Sequence, residues 1–324
     1  TESIGICKAD QRDSYRRRCE DLSAIRNRVV VHRIEEKRKE RVARMLTAIR
    51  QETIEDVVLR YSKRGMNILK NHMKEDYCRE AAGQILELEK GTILLTTGFY
   101  VAGHAETDGP LGTLAMADAL QKLGYHPVIV TDEFCRGFFE NEGLEVYYAG
   151  VNDEAQEYDR MLETYRPVGL ISIERCGRNV EDDYANMRGI SIKEYTASTD
   201  WLFIQARKAG IPTFGVGDGG NEIGMGNLKE VIHEELALVP CKVKVDTLVI
   251  ATVSNWGAYA IVAYMQKMTG VTGLLNFEKI YGYLARIVRM GSVDGVTKKH
   301  TLSVDGFSLE IEKEILDGLN QLAS

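Results

Sequence analysis

The sequence predicts an α/β protein: a doubly wound, mostly parallel sheet with a helical N-terminal extension. After about residue 90, short β-branched or apolar runs alternate with amphipathic stretches, which is typical of right-handed βαβ units. Before residue 90, apolar residues repeat every three to four positions, which indicates helices. We therefore divide the 324 residues into a helical extension, residues 1–90, and an α/β domain, residues 91–324.

The elements of the α/β domain can be assigned in chain order. Strands are predicted in six runs: "TILLTT", "PVIVT", "LEVYYA", "VGLISI", "IPTFGVG" and "DTLVIAT". Helices are predicted between them in "GTLAMADALQKLG", "DEAQEYDRMLETY" and "TDWLFIQARKAG". Two further helices are predicted near the end, in "GLLNFEKIYGYLARIVRMG" and "LEIEKEILDGLNQLA".

The composition is typical of a soluble globular protein, with 44% hydrophobic and 27% charged residues. No apolar run approaches the ~20 residues of a membrane helix, so no membrane association is expected. The N-terminal stretch lacks the apolar segment of a secretory signal. Six scattered cysteines without a CxxC pair favour reduced thiols over disulfides or a zinc site. We therefore expect a cytoplasmic protein.

The charge is uneven along the chain. Residues 1–90 carry 21 basic and 16 acidic side chains, and the remaining residues carry 20 and 32. The charges in "RIEEKRKERVARM" alternate in sign at helical spacing, and few aromatic residues lie among them. This pattern favours a solvated helix face over a nucleic-acid surface. Soluble α/β proteins of this size are often symmetric oligomers, so a homo-oligomer is expected on base rates.

Four predicted strands run directly into polar loops. These loops are "VAGHAETDGPLG", "ERCGRN", "DGGNEIGMG" and "VSNWGAY". In an open parallel sheet, ligands bind outside the carboxyl ends of the strands, which is where these loops lie. Because all four loops are rich in Gly, Asp, Glu, Asn or Arg, we expect them to form one shared site.

The first loop contains a predicted helix start. Asp108 or Gly109 can cap the helix that follows, and Pro110 suits its first turn. The free N–H groups of that turn would attract an anion, whereas Glu106 and Asp108 would repel it unless a cation lies between them. His104 is interpreted as a loop histidine. Asp108 is either an N-cap alone or part of the site.

The second loop and the segment after it contain possible carboxylate ligands. Glu174, Arg175 and Arg178 follow a buried strand, and arginine binds carboxylates in a bidentate geometry. An internal Glu–Arg ion pair is an equal alternative. Asn186 and Arg188 precede a glycine in a segment that we interpret as a loop folded over the site.

The third loop, "GVGDGGNEIGMG" at residues 215–226, has six glycines in twelve positions. It matches G-x-G-x-x-G, but Asp218 would face the pyrophosphate and no helix follows, so a dinucleotide site is disfavoured. Asp218, Asn221 and Glu222 on a glycine-rich turn suit a hard cation or a substrate ammonium group. In the fourth loop, Asn255 is the candidate substrate ligand.

The motifs "TTGFY…ETDGPLG", "SIERCGRN…YANMRG", "GVGDGGNEIGMG", "SNWGAY" and "GSVDGVT" resemble the C-terminal domain of the D-glutamate cyclase family. The resemblance covers about residues 60–324. It implies cyclisation of D-glutamate to 5-oxo-D-proline with loss of water, which requires a general base and an acid or Lewis acid. The substrate partner would be a small acidic amino acid.

We assign candidate roles to the polar residues of these loops. The candidate catalytic residues are Asp108, Glu174, Asp218 and Glu222. The candidate substrate ligands are Glu106, Gly109, Arg175, Arg178, Asn186, Arg188, Asn221 and Asn255. A Mg²⁺ or Mn²⁺ ion bound by Asp108, Asp218 and Glu222 is one expectation, and direct binding of the substrate ammonium by the same acids is the other.

Two alternative functions remain open at this point. The first is a metal-dependent enzyme acting on another small carboxylate or on a phosphorylated metabolite. The second is a non-catalytic protein that binds acidic metabolites and engages a partner through its basic N-terminal helices.

Overall fold

The computed structural model describes residues 37–39, 52–236 and 238–324. Its described residues contain ten strands: β1 Thr92–Thr96, β2 Tyr100–Val101, β3 His104–Ala105, β4 His126–Thr131, β5 Glu145–Tyr148, β6 Gly169–Ile173, β7 Thr213–Gly217, β8 Thr247–Ile250, β9 Ser303–Val304 and β10 Phe307–Ser308. Six of them form one sheet in the order β5-β4-β1-β6-β7-β8, and every neighbouring pair is parallel. All six predicted runs form these strands, so the doubly wound parallel sheet is confirmed.

Ten α-helices lie in the described ranges 52–236 and 238–324: α1 Ile54–Val58, α2 Met66–Leu69, α3 Tyr77–Glu87, α4 Pro110–Lys122, α5 Ala155–Tyr165, α6 Asp200–Lys208, α7 Lys229–Glu235, α8 Ser254–Thr269, α9 Phe277–Arg289 and α10 Leu309–Ala323. The five helices predicted after residue 90 correspond to α4, α5, α6, α9 and α10. The "SNWGAY" stretch was predicted as a loop, whereas it forms the first turns of α8.

Helices α1–α3 fall within the predicted N-terminal extension. α3 packs against α8 and β8, and α1 packs against α8 and α10. The compact unit that contains the sheet spans Thr53–Ser324, so these helices are part of it. The rest of the predicted extension, residues 1–36 and 40–51, lies outside the described residues.

Two features bear on the expectations drawn from composition. Cys78, Cys135, Cys176 and Cys241 are free and buried, whereas Cys7 and Cys19 lie outside the described residues. Among the helices that the structure describes, none is long and apolar enough to cross a membrane.

The strand order creates a crevice at the carboxyl edge of the sheet. From β1 the chain proceeds to β4 and β5 on one side, and then returns to β6, β7 and β8 on the other side. Because right-handed connections in opposite directions put their helices on opposite faces, the loops after β1 and β6 diverge. A ligand site is expected between them.

Helix α8 packs against α3, α4 and α10 and against β6, β7 and β8. A buried carboxylate joins it to α10: Glu312 accepts hydrogen bonds from Trp256 Nε1 at 2.6 Å and Tyr259 OH at 2.9 Å. Both donors belong to fully buried side chains. Burial raises the pKa of Glu312, and the two donors oppose that shift.

We expect Glu312→Ala to lower the free energy of unfolding by about 2–4 kcal/mol, because the indole N–H and the phenol O–H would remain buried without an acceptor. Urea unfolding of the wild-type and variant proteins measures this loss. Glu314→Ala on the same helix is the control: Glu314 is 44% exposed and pairs with Arg60, and its loss should cost less than about 1 kcal/mol. Equal losses of unfolding free energy for the two variants would contradict a stabilising role for the hydrogen bonds between Glu312 and α8.

Candidate active site

Two helix starts at the carboxyl edge of the sheet cap each other. Asp108, after β1, accepts hydrogen bonds from the backbone N–H groups of Ser254 at 2.9 Å and Asn255 at 2.8 Å, at the start of α8. Asn255 Oδ1 in turn accepts hydrogen bonds from the N–H groups of Gly109 at 2.9 Å and Gly112 at 2.7 Å, at the start of α4. Each side chain satisfies donors that a helix start leaves free, so the loops after β1 and β8 are held together.

The glycine-rich loop after β7 folds closely around its own glutamate. Glu222 Oε2 accepts a hydrogen bond from the Gly220 N–H at 2.8 Å. A Cβ on Gly217 would lie 2.8 Å from Glu222 Oε2, and a Cβ on Gly219 would lie 2.7 Å from Glu222 Oε1. Both positions therefore need glycine so that the Glu222 carboxylate can lie against the main chain.

The loops after β6 and β7 are joined by backbone hydrogen bonds. The N–H of Ile223 donates to Arg175 O, and the N–H of Gly177 donates to Asn221 O, both at 2.9 Å. This pairing brings Glu174 beside the glycine-rich loop. Glu174 has a positive φ of 46°, an uncommon left-handed conformation for a residue other than glycine.

Arg64 reaches this edge from the segment between α1 and α2. Its Nη2 donates to Asp218 Oδ2 at 2.6 Å, to Thr252 O at 3.2 Å and to Asp305 Oδ2. Burial opposes the charged form of Arg64, but the Asp218 and Asp305 carboxylates outweigh it and raise the pKa well above its ordinary value. Arg64 therefore stays charged and neutralises part of the acidic cluster.

The acidic cluster contains more negative charge than the described residues around it can neutralise. Its members are Glu106, Asp108, Glu174, Asp218, Glu222 and Asp305. Burial, the largest cause, raises the pKa of the first five, and that of Asp108 reaches about 7. Asp218 Oδ1 is fully buried and accepts no hydrogen bond from any residue that the structure describes. Protons or an added cation must balance the excess charge.

A cavity of about 400 Å³ opens beside the cluster. It is lined by buried acids and Arg64, by an exposed basic pair and by apolar or aromatic side chains. The polar lining residues are Arg64, Glu106, Glu174, Asn186, Arg188, Ser191, Asn221, Lys298 and Asp305. Arg188 and Lys298 are exposed and form no ion pair with residues in the described ranges.

Aromatic side chains form part of the cavity wall. The rings of Tyr100 and Tyr195 stack with centroids 4.2 Å apart, and Phe134 contacts Tyr100 edge-on at 4.9 Å. Tyr195 is 41% exposed, whereas Glu106 and Glu174 are 6% and 5% exposed. The acids therefore lie deeper than the aromatic wall, which is closer to solvent.

The structure brings most of the predicted site residues together. Five of them line the cavity: Glu106, Glu174, Asn186, Arg188 and Asn221. Asp108, Asp218 and Glu222 lie buried in the acidic cluster without being among the lining residues. Their catalytic and binding roles remain predictions.

Four predicted substrate ligands have other contacts in the structure. Asn255 is fully buried, and its side chain caps α4 and donates to Thr107 O at 3.1 Å. Gly109, at φ 93°, is the N-cap of α4, where a Cβ would lie 2.7 Å from Thr97 Oγ1. Neither offers a free polar group to a substrate, because their hydrogen-bonding groups serve the helix starts.

The two arginines after β6 also differ from the expectation. Arg175 is fully buried and donates to Asp132 at 2.6 Å, Gly98 O and Ala197 O at 2.8 Å, and Thr199 at 3.2 Å. It therefore joins loops inside the protein. Arg178 lies 3.6 Å from Asp200 and is not among the cavity residues. Both arginines were predicted as substrate ligands because they follow a strand. That position does not show whether the guanidinium group already has a partner inside the protein.

Three charged cavity residues, Arg64, Lys298 and Asp305, were missed in the sequence. Arg64 lies in a segment with a helical repeat and was assigned to the extension. Asp305 and Lys298 lie beyond the motifs that define the four loops. The "DG" pair at Asp305 indicates a turn, and the structure has the β9–β10 hairpin there. No local pattern links these residues to Asp218, because the contacts join distant parts of the chain.

The predicted metal ligands fall into two groups. Asp108, Asp218 and Asp305 form one triad, and Glu174, Asp218 and Glu222 form the other. Within each triad, one carboxylate oxygen from each residue lies within 4.8 Å of the others. The predicted set of Asp108, Asp218 and Glu222 is thus divided between two triads that share Asp218.

The raised pKa of Asp108 predicts a pH dependence of stability. An acid whose pKa is raised by folding keeps a proton that the unfolded chain has released. The free energy of unfolding therefore falls as the pH rises from the ordinary value of 3.8 to about 7, and this contribution then levels off. We expect Asp108→Asn to reduce the fall between pH 5 and 7, as measured by urea unfolding.

Asp246→Asn is the control for that experiment. The Asp246 carboxylate is partly exposed, and although its burial raises the pKa, hydrogen bonds from Thr213 lower it below its ordinary value overall. Its contribution to stability is lost below that value, outside the measured range, so the control should keep the wild-type slope. If the unfolding free energy of Asp108→Asn fell with pH as steeply as that of the wild type, the raised pKa of Asp108 would be contradicted.

Comparisons with known proteins agree with this chain's motifs. The family described as D-glutamate cyclase-like, C-terminal, matches residues 54–320. The human protein named "D-glutamate cyclase, mitochondrial" is 36% identical over 195 residues, which cover 52% of this chain and 32% of the human protein. The chain thus spans about a third of that relative's length.

Solved structures show weaker likeness. A UDP-glucose 4-epimerase from Brucella ovis in complex with NAD has 14% identity and a TM-score of 0.26, with 46% of this chain and 49% of that chain covered. A glycosyltransferase from Rickettsia africae has 14% identity and a TM-score of 0.30, with 50% and 42% covered. Such weak likenesses carry no conclusion here. The match over residues 54–320, together with the motifs, is the basis for the assignment: the chain belongs to the D-glutamate cyclase-like, C-terminal family.

Proposed function

We propose that the protein is a lyase that converts D-glutamate to 5-oxo-D-proline with loss of water. Membership of the family and the name of the human relative support this reaction. The observation that carries the proposal is the cavity, in which buried acids with raised pKa values lie beside cationic side chains.

The cavity offers complementary groups to each charge of glutamate. Arg188 and Lys298 have no ion-pair partner among the described residues and can bind the substrate carboxylates. Arg64 also lines the cavity and adds a positive charge beside Asp218 and Asp305. Glu106 and Glu174 are the lining acids that can accept hydrogen bonds from the substrate ammonium group.

Cyclisation needs two proton transfers. The substrate ammonium loses one proton so that its nitrogen can attack the γ-carboxyl carbon, and it loses a second proton as the amide forms. The departing carboxylate oxygen gains both protons and leaves as water. Glu174 suits these transfers because it lines the cavity, is buried, and contacts Ser254 Oγ at 2.5 Å. Burial raises the pKa of Glu174, and the neighbouring Glu222 carboxylate adds to the shift, so this carboxyl group holds a proton more readily than an ordinary glutamate does.

We expect the Asp218 carboxylate to take part in the reaction, either by accepting a proton or by binding a cation. It contacts Arg64 through Oδ2, whereas its Oδ1 has no partner in the described part of the chain. A free carboxylate oxygen next to Glu174 can accept the proton that passes through the site or bind a cation. In either case the Asp218 charge is needed for the reaction.

We expect the purified protein to form 5-oxoproline from D-glutamate, measured by mass spectrometry. L-Glutamate in a parallel reaction tests the stereochemical preference. Both isomers are assayed with and without added Mg²⁺ or Mn²⁺. The cyclase proposal would be overturned by the absence of 5-oxoproline in every one of these reactions.

We expect Asp218→Asn to lower kcat by at least about 100-fold while leaving the melting temperature unchanged. The amide keeps the shape of the side chain, and Arg64 keeps its contacts with Asp305 and Thr252 O. Steady-state rates and thermal melting measure the two effects.

Asp118→Asn on α4 is the control, because Asp118 pairs with Lys279 and does not line the cavity beside the acidic cluster. It should retain wild-type rates. Wild-type turnover by Asp218→Asn would show that the carboxylate has no chemical role. A loss of several kcal/mol of stability in that variant would instead make Asp218 a structural residue.

A further inference from the structure

The two carboxylate triads at the sheet edge differ in how their charge is balanced. Both contain Asp218, and in each triad the three contributing oxygens lie within 4.8 Å of one another. One triad adds Asp108 and Asp305, and the other adds Glu174 and Glu222. Which of them can hold a metal ion depends on which oxygens are already occupied.

The triad with Asp108 and Asp305 already has partners inside the protein. Arg64 Nη2 contacts both Asp218 Oδ2 and Asp305 Oδ2. Both oxygens of Asp108 accept backbone N–H hydrogen bonds at the start of α8. A metal ion there would have to compete with a guanidinium group and with helix N–H groups.

In the second triad, the charges of Glu174 and Glu222 are not neutralised by a positively charged side chain among the described residues. Neither glutamate forms an ion pair with any residue described in the structure. Glu174 Oε2 accepts from Ser254 Oγ, and Glu222 Oε2 accepts from the Gly220 N–H, and both donors are neutral. All three side chains are at least nine-tenths buried.

A separate observation points to a ligand beside Asp218, the residue that the two triads share. Asp218 Oδ1 is fully buried and accepts no hydrogen bond from any residue in the described ranges. An unpaired carboxylate oxygen in the interior is costly unless a cation or a donor occupies the space beside it. Arg64 is bound to the other oxygen, Oδ2, and so leaves Oδ1 available.

We propose that Glu174, Asp218 and Glu222 bind a hard divalent cation such as Mg²⁺ or Mn²⁺, through Asp218 Oδ1 and one carboxylate oxygen of each glutamate. Such ions take carboxylate oxygens and water as ligands. Glu174 also lines the cavity, so the remaining coordination positions would be close to a bound substrate. Arg64 would then bind Asp218 Oδ2, and the cation would bind Asp218 Oδ1.

The cation can be tested without any substrate. The full chain is treated with EDTA, passed through a desalting column and titrated with MnCl₂ by calorimetry. The free Mn²⁺ is followed in parallel by its electron paramagnetic resonance signal. We expect one bound Mn²⁺ per chain and a rise in melting temperature with added Mn²⁺ or Mg²⁺, because a ligand of the folded state stabilises it.

Variants then decide between the two triads. Glu222→Gln and Asp218→Asn should each weaken Mn²⁺ binding by at least about tenfold, since each removes a charged ligand. Asp305→Asn belongs to the other triad and should keep binding within about threefold of wild type. Glu312→Gln is the matched control, because it is a buried glutamate whose two oxygens are satisfied by Trp256 and Tyr259.

Two results would overturn the site. The first is the absence of saturable Mn²⁺ or Mg²⁺ binding by the wild-type protein at millimolar concentrations. The second is unchanged binding in Glu222→Gln together with lost binding in Asp305→Asn. The result is separable from the cyclase proposal: cation binding without turnover leaves this site in place, and turnover after complete chelation shows that the reaction does not need the cation.

Discussion

The reciprocal capping of α4 and α8 is the contact on which the geometry of the site depends. Asp108 and Asn255 each accept hydrogen bonds from the start of the helix that follows the other's loop. β1 and β8 lie three positions apart in the sheet, so their loops would otherwise be joined only through the strands between them. The two caps hold the loop that carries Glu106 beside the helix start that contacts Asp218 and Glu174.

The same arrangement explains how several acids can be buried close together. Helix N-termini carry partial positive charge, and both the Asp108 and Asp218 carboxylates accept a backbone N–H hydrogen bond from the first turn of α8. Arg64 supplies one full positive charge. These contributions do not neutralise all the acids, which is why the pKa values of Glu106, Asp108, Glu174, Asp218 and Glu222 are raised, with burial as the main cause. The remaining charge makes the site receptive to protons and cations.

Much of the fold could be predicted from the sequence, and a smaller part of the site. Strand runs and amphipathic helices depend on local periodicity, so β1, β4–β8 and α4–α6 were predicted correctly. The four loops were expected at one edge because parallel strands place their carboxyl ends together. The glycine-rich loop was interpreted as approaching a ligand, whereas Gly217 and Gly219 make room for the Glu222 carboxylate of the same loop.

The contacts of Arg175, Asn255 and Arg64 show what local sequence patterns do not report. Arg175 and Asn255 carry the side chains expected of substrate ligands, but each has its hydrogen-bonding capacity used inside the protein. Arg64 was not assigned to the site, because its segment has only a helical repeat, yet its guanidinium contacts the acids of the cluster. Pairing between side chains distant in sequence is a property of the folded arrangement, and neither spacing nor composition reports it.

The position of Arg64 in the sequence limits where the compact unit Thr53–Ser324 can be divided. The strands and their carboxyl-edge loops all lie after residue 90, so they resemble a self-sufficient ligand-binding domain. The guanidinium that contacts Asp218 comes from the other side of that boundary, in a turn between two short helices. A fragment trimmed to the sheet would keep every acid of the cluster and lose a counter-charge that holds them together. The site is therefore built from two stretches of chain, the segment that contains Arg64 and the loops after residue 90. A chimera made from two relatives would have to take both stretches from the same protein.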